Sequence, residues 1–482
     1  MPFFYRFRSL DALLDEWQEL EKQEIYFAPP EQLNDPMEGF KELFWRGDQI
    51  VWENLIRHYL LCLSQTVVVA MIGGNDYRPD ISKGFIFTTP LSLPTASFKA
   101  IYQRICEAFL STHKLQELPI LLASQDHSFR RDELEFCLRA IHGIAIKTIV
   151  KIFREENLMP PGDASIPPSE PSEENTIKSL FRVLSTIQDN EVGIDLEALR
   201  QLFIEAGTDY KQIELTRYLG ATDKLARAWH SIFYSFPEQY VDSLSDLVYF
   251  DWYTACFVAD PTHAAMWGNY GVGHKGVCLK FHAEETAGNP PALKMRGIVG
   301  WHAGPNGGGP NYGEIPLTFE KITYSEKLAE IDFFRSIGRL PIPALKSGWY
   351  TDDTGRVSEC AEDVLSQTQD WHQRYWASFN AMTLTKLQDW QHENEFRLRL
   401  MSGLNSFKEK EDRKLTYHFS DLEGIIFGIR TPLEAKVRII NIIAAKCKEN
   451  KRGSFEFSQA VYSPQNGKIA IHRLDLLRFN GS

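Results

Sequence analysis

The sequence predicts an α+β protein: a mixed or antiparallel sheet domain interrupted by an all-helical insertion. Three observations carry that prediction. Short segments in which apolar and polar side chains alternate cluster toward both ends of the chain. Between residues 97 and 250 the apolar residues recur three and four apart, the period of helices. Beyond 250 the alternation returns, so the flanking strands read as one domain and the middle as an insertion. The expected parts are therefore 1–96 and 251–482 for the α+β domain and 97–250 for the helical block.

Each element has its own warrant. "FFYRFRS" reads as a strand with Arg6 and Arg8 on the face opposite Tyr5 and Phe7. "SLDALLDEWQELEKQ" reads as a helix: Ser9 offers an N-cap, and Leu10, Leu13, Leu14, Trp17 and Leu20 mark one face. "EIYFAPPEQLNDPMEG" is a strand that breaks into a Pro/Asn/Asp turn. A helix over "IVWENLIRHYLLCLS" and a strand followed by a loop over "KGFIFTTPLSLP" complete the first part. In the insertion, Phe98, Ile101, Ile105 and Phe109 stand at helical spacing, and "RDELEFCLRAIHGIAIKTIVKIFREEN" extends a long helix that Gly143 weakens. A Pro/Ser/Glu-rich stretch near 157–176 reads as a mobile linker, and helical periods resume in "TIKSLFRVLSTI", "LEALRQLFIEA" and "DKLARAWHSIFYSF".

Strands return at "YTACFVA" and in "MWGNYGVGHKGVCLKF", residues 266–281, where Val277, Leu279 and Phe281 alternate with Cys278 and Lys280. Trp267, Asn269, Tyr270 and His274 just before are either core and turn residues or the lining of a pocket. "GWHAGPNGGGPNYGEIP" reads as a mobile loop and lacks the Lys and Ser/Thr of a phosphate-binding P-loop. "FEKITYSEK" is a strand, and a helical stretch follows within 349–386. "ENEFRLRLM" alternates strictly: Phe396, Leu398 and Leu400 on one face, Glu393, Glu395, Arg397 and Arg399 on the other, which is expected in solvent. "LEGIIFGIR" as a strand, "PLEAKVRIINIIAAKCKEN" as a helix and "KIAIHRLDL" as a strand close the chain.

Composition bounds the function. With 482 residues, 43% hydrophobic and 12% aromatic, the chain can build more than one core and is not of disordered type. A net charge of −12 argues against general binding along a phosphate backbone but leaves room for a local basic groove. Seven scattered cysteines without a CxxC suit a reducing compartment and no zinc ribbon. Without a signal-peptide pattern or a run of 18 apolar residues, a soluble cytoplasmic protein away from the membrane is expected.

The order of motifs resembles a bacterial family catalogued as domain of unknown function 2971. The residues that carry the resemblance are "YRFR" at 5–8, "YFAPPEQLNDPME" at 26–38, the segment 267–281, "ITYS" at 322–325, "WQHENEFR" at 390–397 and "IIFGIR" at 425–430. Ala28 stands where the family often has Ser, and Asn269 precedes Tyr270 where a His is common. The layout is in turn similar to that of ADP-ribosyltransferases, which split their sheet around the substrate. Those enzymes set an Arg or His on the first strand, an aromatic or Ser on the next and a Glu late in the chain, often in E-x-E. That resemblance implies an NAD-consuming transferase or NAD glycohydrolase, acting as a toxin-like or anti-phage effector. NAD would be its substrate, an unidentified protein or nucleic acid the acceptor, and the helical insertion a partner or regulatory surface.

The residues fit that chemistry in identifiable ways. Glu393 and Glu395, two apart on a strand, send both carboxylates to one face. A carboxylate there can stabilise an oxocarbenium-like ribose, with Glu395 first and Glu393 as alternate. Arg6 or Arg8 suits a diphosphate, or instead pairs with Asp11, Asp35 or Glu38. Tyr26 or Tyr270 can stack on nicotinamide, or serve as core residues with a satisfied hydroxyl. His274 has no close ligand spacing around it and sits near whatever pocket exists. Two other classes stay open. Asp35, Glu38, Glu393 and Glu395 could surround Mg²⁺ in a nuclease, or the protein could be a non-catalytic sensor that uses its helical block as an interface.

Overall fold

Alternation sorts each strand onto two faces, and those faces decide what each side chain meets. The computed structural model describes residues 2–73, 84–112, 114–123, 127–159, 173–188, 196–220, 229–285, 288, 290–304, 307–366, 368–403, 407–465 and 467–477. Two compact units interleave along the chain. Residues 1–40, 250–329 and 380–482 form a sheet unit, and residues 41–249 and 330–379 form a helical unit. In chain order the strands begin with β1 (Phe3–Arg8), β2 (Glu24–Tyr26), β3 (Glu42–Phe44), β4 (Trp252–Val258), β5 (Val277–His282), β6 (Ala292–Gly304) and β7 (Gly307–Thr318). Short strands follow at β8 (Glu320–Lys321), β9 (Thr323–Ser325), β10 (Glu330–Asp332) and β11 (Thr385–Leu387). The last are β12 (Glu395–Met401), β13 (Lys414–Tyr417), β14 (Leu422–Phe427), β15 (Glu456–Ser463) and β16 (Lys468–Arg473).

The sheet unit holds a mixed eight-stranded sheet in the order β16-β15-β14-β5-β1-β4-β12-β8. Within this sheet, among the described residues, only β14 and β15 pair in parallel, and the helix Leu433–Glu449 makes the crossover between them. A four-stranded sheet, β2-β13-β6-β7, supplies the other side of a shared core. Phe4, Phe257, Leu279, Phe281 and Ile425 of the large sheet meet Ile25, Leu293, Met295 and Leu415 of the small one, with Ile439 and Ile443 of the crossover helix. The opposite face of the large sheet carries a smaller cluster of Phe7, Val258, Met266, Trp267, Cys278, Ile426, Ala460 and Ile469. β1 and β4 share only one residue pair, Tyr5↔Val258. Beyond it they part, and Ala28 bridges to Thr254 instead.

Mixed helix and sheet with a mixed sheet matches the expected fold class, but the helical unit has other limits than residues 97–250. It starts at Lys41 and takes in 330–379. The helix Gln49–Gly73 explains the difference. It buries Trp52, Leu55, Tyr59, Leu60, Leu63 and Val67 on more than one side, so it needs helices around it and cannot lie on a sheet edge. Residues 330–379 help to cover it: Trp52 packs on Phe334 with ring centroids 5.3 Å apart, and His58 on Trp349 at 4.7 Å. By length and composition this helix could cross a membrane, yet 67% of its most apolar window is buried in the protein, as a core helix would be. Most of the expected linker, 160–172, lies outside the described residues, as does the 223–228 part of the last expected helix.

Two local expectations are corrected. "FIF" at 85–87 is a turn of 3-10 helix that begins at Gly84, whose φ of 122° suits a residue without a Cβ. The Gly/Pro-rich stretch is a long hairpin, β6–β7, paired from Ala292↔Thr318 to Gly304↔Gly307. Pro310 and Pro316 are tolerated because β7 is the outer strand of its sheet, where a missing N–H need break no ladder.

The glycines of 266–281 divide by environment. A Cβ at Gly276 would lie 2.3 Å from the Arg8 carbonyl oxygen, backbone that cannot move without parting β1 from β5. A Cβ at Gly268 would meet nothing within 4 Å. Gly276→Ala is therefore expected to lower the stability of the sheet unit by about 1–3 kcal/mol in denaturant melts. Gly268→Ala, in a short helix, should leave it unchanged or raise it slightly.

Candidate active site

β12 pairs with β4 along its whole length, Glu395↔Val258 to Met401↔Trp252, and with β8 at Phe396 and Arg397. Its polar face is not in solvent. Glu395 is 3% exposed and Arg397 fully buried. This corrects the expectation of a solvated strand face, and the cause is covering by residues far away in sequence. Trp252 lies 5.9 Å from the Arg397 guanidinium, and the Thr383 carbonyl accepts from Arg397 Nη1 at 2.7 Å. Glu393 is not on the strand. It ends a 3-10 helix, Gln388–Glu393, and Asn394 at φ 43° turns the chain into β12. The two carboxylates nevertheless converge, on Lys386 of β11.

Lys386 Nζ donates to Glu393 Oε2 at 2.8 Å and to Glu395 Oε2 at 2.9 Å, and lies 3.5 Å from Glu38. Arg397 Nε donates to Glu395 Oε1 at 2.7 Å, and its Nη2 lies 2.6 Å from Glu38. The Glu38 contact is close but poorly angled, and neither Glu38 oxygen has a hydrogen-bond partner. Three carboxylates thus face two cations, leaving one negative charge in excess in a buried site. Burial alone would raise the Glu395 carboxyl, but Arg397 and Lys386 overcome it and hold its pKa well below the ordinary range. At Glu38 burial wins over Arg397 and Lys386, and the pKa rises.

Tyr270 reaches the same cluster from the segment before β5. Its hydroxyl donates to Glu393 Oε1 at 2.6 Å and also meets Asn34 Oδ1 at 2.9 Å. One hydroxyl proton serves one acceptor, so the charged Glu393 takes it and Asn34 is better placed with its amide nitrogen toward Tyr270. Burial and the Glu393 charge both raise the Tyr270 pKa, keeping the phenol protonated. Tyr324 braces the other end, its hydroxyl accepting from the Glu395 backbone N–H at 2.9 Å. A cleft of about 40 Å³ opens here, lined by Tyr5, Phe7, Cys256, Met266, Tyr270, Glu393 and Glu395 among others. It sits where β1 and β4 begin to part.

The other candidate residues lie elsewhere. Tyr5 and Phe7 line the cleft, whereas Arg6 and Arg8 do not. Arg8 makes a bidentate pair with Glu19 at 2.6 and 2.5 Å, and Arg6 donates to the Tyr26 carbonyl at 3.1 Å. Tyr26 packs its ring against Trp17 and donates its hydroxyl to Gln32. His274, at φ 69°, stacks on Trp267, and its carbonyl accepts from the Arg430 N–H. Arg6, Arg8, Tyr26 and His274 therefore do not line this cleft. Tyr270, Glu393 and Glu395 come together there, and Asp35 caps its own turn by accepting from the Met37 N–H at 2.9 Å. Lys386 escaped sequence reasoning. Its strand has three residues and pairs in parallel with β9, a pattern too short for alternation to register.

Removing one member of such a cluster leaves the others buried without counter-charge. Arg397→Met is expected to destabilise the sheet unit by about 3–5 kcal/mol in denaturant melts. Arg473→Ala, which breaks the exposed pair with Asp475, should cost less than about 1 kcal/mol. Because Glu395 has a depressed folded pKa, its contribution is full above the unfolded value near 4.5. It is lost as pH falls below that value toward the folded pKa. Acid melts below about pH 4.5 should show this loss, and Glu395→Gln should remove that part of the acid dependence.

The chain matches no protein-family model, no curated protein and no solved structure.

Proposed function

We propose that this protein is an NAD-consuming enzyme, an ADP-ribosyltransferase or NAD glycohydrolase, with Glu393 as the acting carboxylate. The observation that carries the proposal is the 2.6 Å contact between the Tyr270 hydroxyl and Glu393 at the cleft, inside a cluster with one unbalanced negative charge. Both oxygens of Glu395 are taken by Arg397 and Lys386. Glu393 gives one oxygen to Lys386 and presents the other to the partly buried Tyr270 phenol at the cleft. The single residue pair between β1 and β4 beneath the cleft is further support, since the resemblance implies a sheet that splits there.

In the reaction the C1′–N bond of the nicotinamide riboside breaks and its electron pair leaves on nicotinamide. Positive charge grows on the ribose, and Glu393 stabilises it through space. Water or an acceptor nucleophile then attacks C1′ and releases its proton to solvent. At about 40 Å³ the cleft holds a water, not a nicotinamide ring, so substrate entry requires Tyr270 to swing away from Asn34. Lys386 and Arg397 hold the carboxylates in place while it does. The metal-nuclease reading fits less well. Glu38, Glu393 and Glu395 already face Lys386 or Arg397, and among the described residues no group of three or more His, Cys, Asp or Glu is placed to hold a metal.

The test is nicotinamide release from NAD by the purified protein, followed by chromatography, with DNA or RNA plus Mg²⁺ as a parallel arm. Glu393→Gln should reduce release on the order of a hundredfold. Tyr270→Phe, which keeps the ring and removes the hydroxyl that occupies Glu393, should leave release at the wild-type rate or raise it. Melting temperatures of both variants separate lost chemistry from lost fold. Nucleic-acid cleavage, or full NAD turnover in folded Glu393→Gln, would overturn the proposal.

A further inference from the structure

The helical unit carries a half-open apolar pocket of a different kind. It measures about 230 Å³ and lies between the helices Gln49–Gly73 and Ala96–Leu110, with Phe85 and Phe153 also on its wall. Leu61, Val68, Leu93, Phe98, Ile101 and Ile105 are among its lining, and no Asp, Glu, Lys, Arg or His belongs to it. An ion would lose its hydration there with no counter-charge. Three lining residues carry polar side chains. The Ser64 hydroxyl donates to the Leu61 carbonyl at 2.8 Å, and the Tyr102 hydroxyl donates to the Arg57 carbonyl at 3.1 Å. Gln65 is the exception: its Oε1 is buried and has no hydrogen-bond partner. Folded proteins leave few buried acceptors unmet, because each costs the desolvation of the group.

We propose that this cavity binds a small, neutral, mostly apolar molecule that carries one N–H or O–H donor, which Gln65 Oε1 accepts. Apolar cavities of about 150 Å³ take up benzene, so by proportion this one admits a guest of about nine heavy atoms. The inference stands on the cavity alone and is independent of the NAD reading.

Indole has that size and a single N–H, and benzofuran is its isostere with an oxygen in place of that donor. Titration calorimetry on the full chain should show indole binding roughly tenfold more tightly than benzofuran. Gln65→Leu should bring the two affinities to within about twofold of each other. Val69→Trp, which fills the cavity from a half-buried position, should abolish binding of both, with circular dichroism melts reporting that it folds. If Val69→Trp does not fold, the loss of discrimination in Gln65→Leu still decides the matter. The proposal is overturned if the folded wild type binds neither compound, if it binds both equally, or if folded Val69→Trp binds them unchanged.

Discussion

Arg397, fully buried between Glu395 at 2.7 Å and Glu38 at 2.6 Å, is the contact on which the sheet unit's architecture turns. A guanidinium removed from water loses several kcal/mol of hydration and persists only where carboxylates replace that shell. The cluster draws on two separate stretches of chain. Glu38 comes from the turn after β2, and the run 385–401 supplies Lys386 from β11 and Glu393, Glu395 and Arg397 from the 3-10 helix and β12 that follow it. The cluster locks those stretches in one arrangement, because a shift of either of them leaves a charge bare. An apolar core would hold the same elements with less demand on geometry. The ionic version is the more specific one, and it keeps a carboxylate charged inside the protein.

That carboxylate explains the aromatic segment before β5. Trp267 and the glycines around it are structural: the Trp267 indole N–H donates to the Pro261 carbonyl at 2.7 Å, and Gly276 lets β1 approach. Tyr270 is different. It reaches out of that segment to Glu393, 123 positions later in the chain. The helical unit's polar interior contrasts with this. Tyr59 meets His142 at 2.7 Å and Tyr240 meets His58 at 2.9 Å, and burial lowers both imidazole pKa values to about 4, so these bonds stay neutral near pH 7.

How much was legible in the sequence depends on how local the cause is. β1, β5 and β12 could be read from alternation over five or more residues, and β4 and β14 from short apolar runs. The helices Ala96–Leu110 and Arg131–Glu155 could be read from their apolar spacing. The β6–β7 hairpin could not, since Gly and Pro are loop residues by propensity and only the sheet's edge makes room for them. β15, Glu456–Ser463, also went unrecognised: Ser458, Gln459 and Ser463 interrupt its apolar residues, and its place is fixed by β14 and β16. At the site, motif spacing brought Glu393, Glu395 and Tyr270 to notice. It missed Lys386, and it placed Arg397 in solvent, because burial of a polar strand face is decided by what packs over it.

The interleaving of the two units bears on how the protein is made. The sheet unit needs residues 1–40 at the start and 380–482 at the end, while all of the helical unit has been synthesised by residue 379. During synthesis the helical unit can close while Glu38 still waits for Lys386, Glu393, Glu395 and Arg397. β14, β15 and β16 come later still and cover one side of β5. A prematurely terminated chain therefore carries a finished helical unit beside an open, half-paired sheet. Such an edge is the part of the molecule that a chaperone would shield and a quality-control protease would cut.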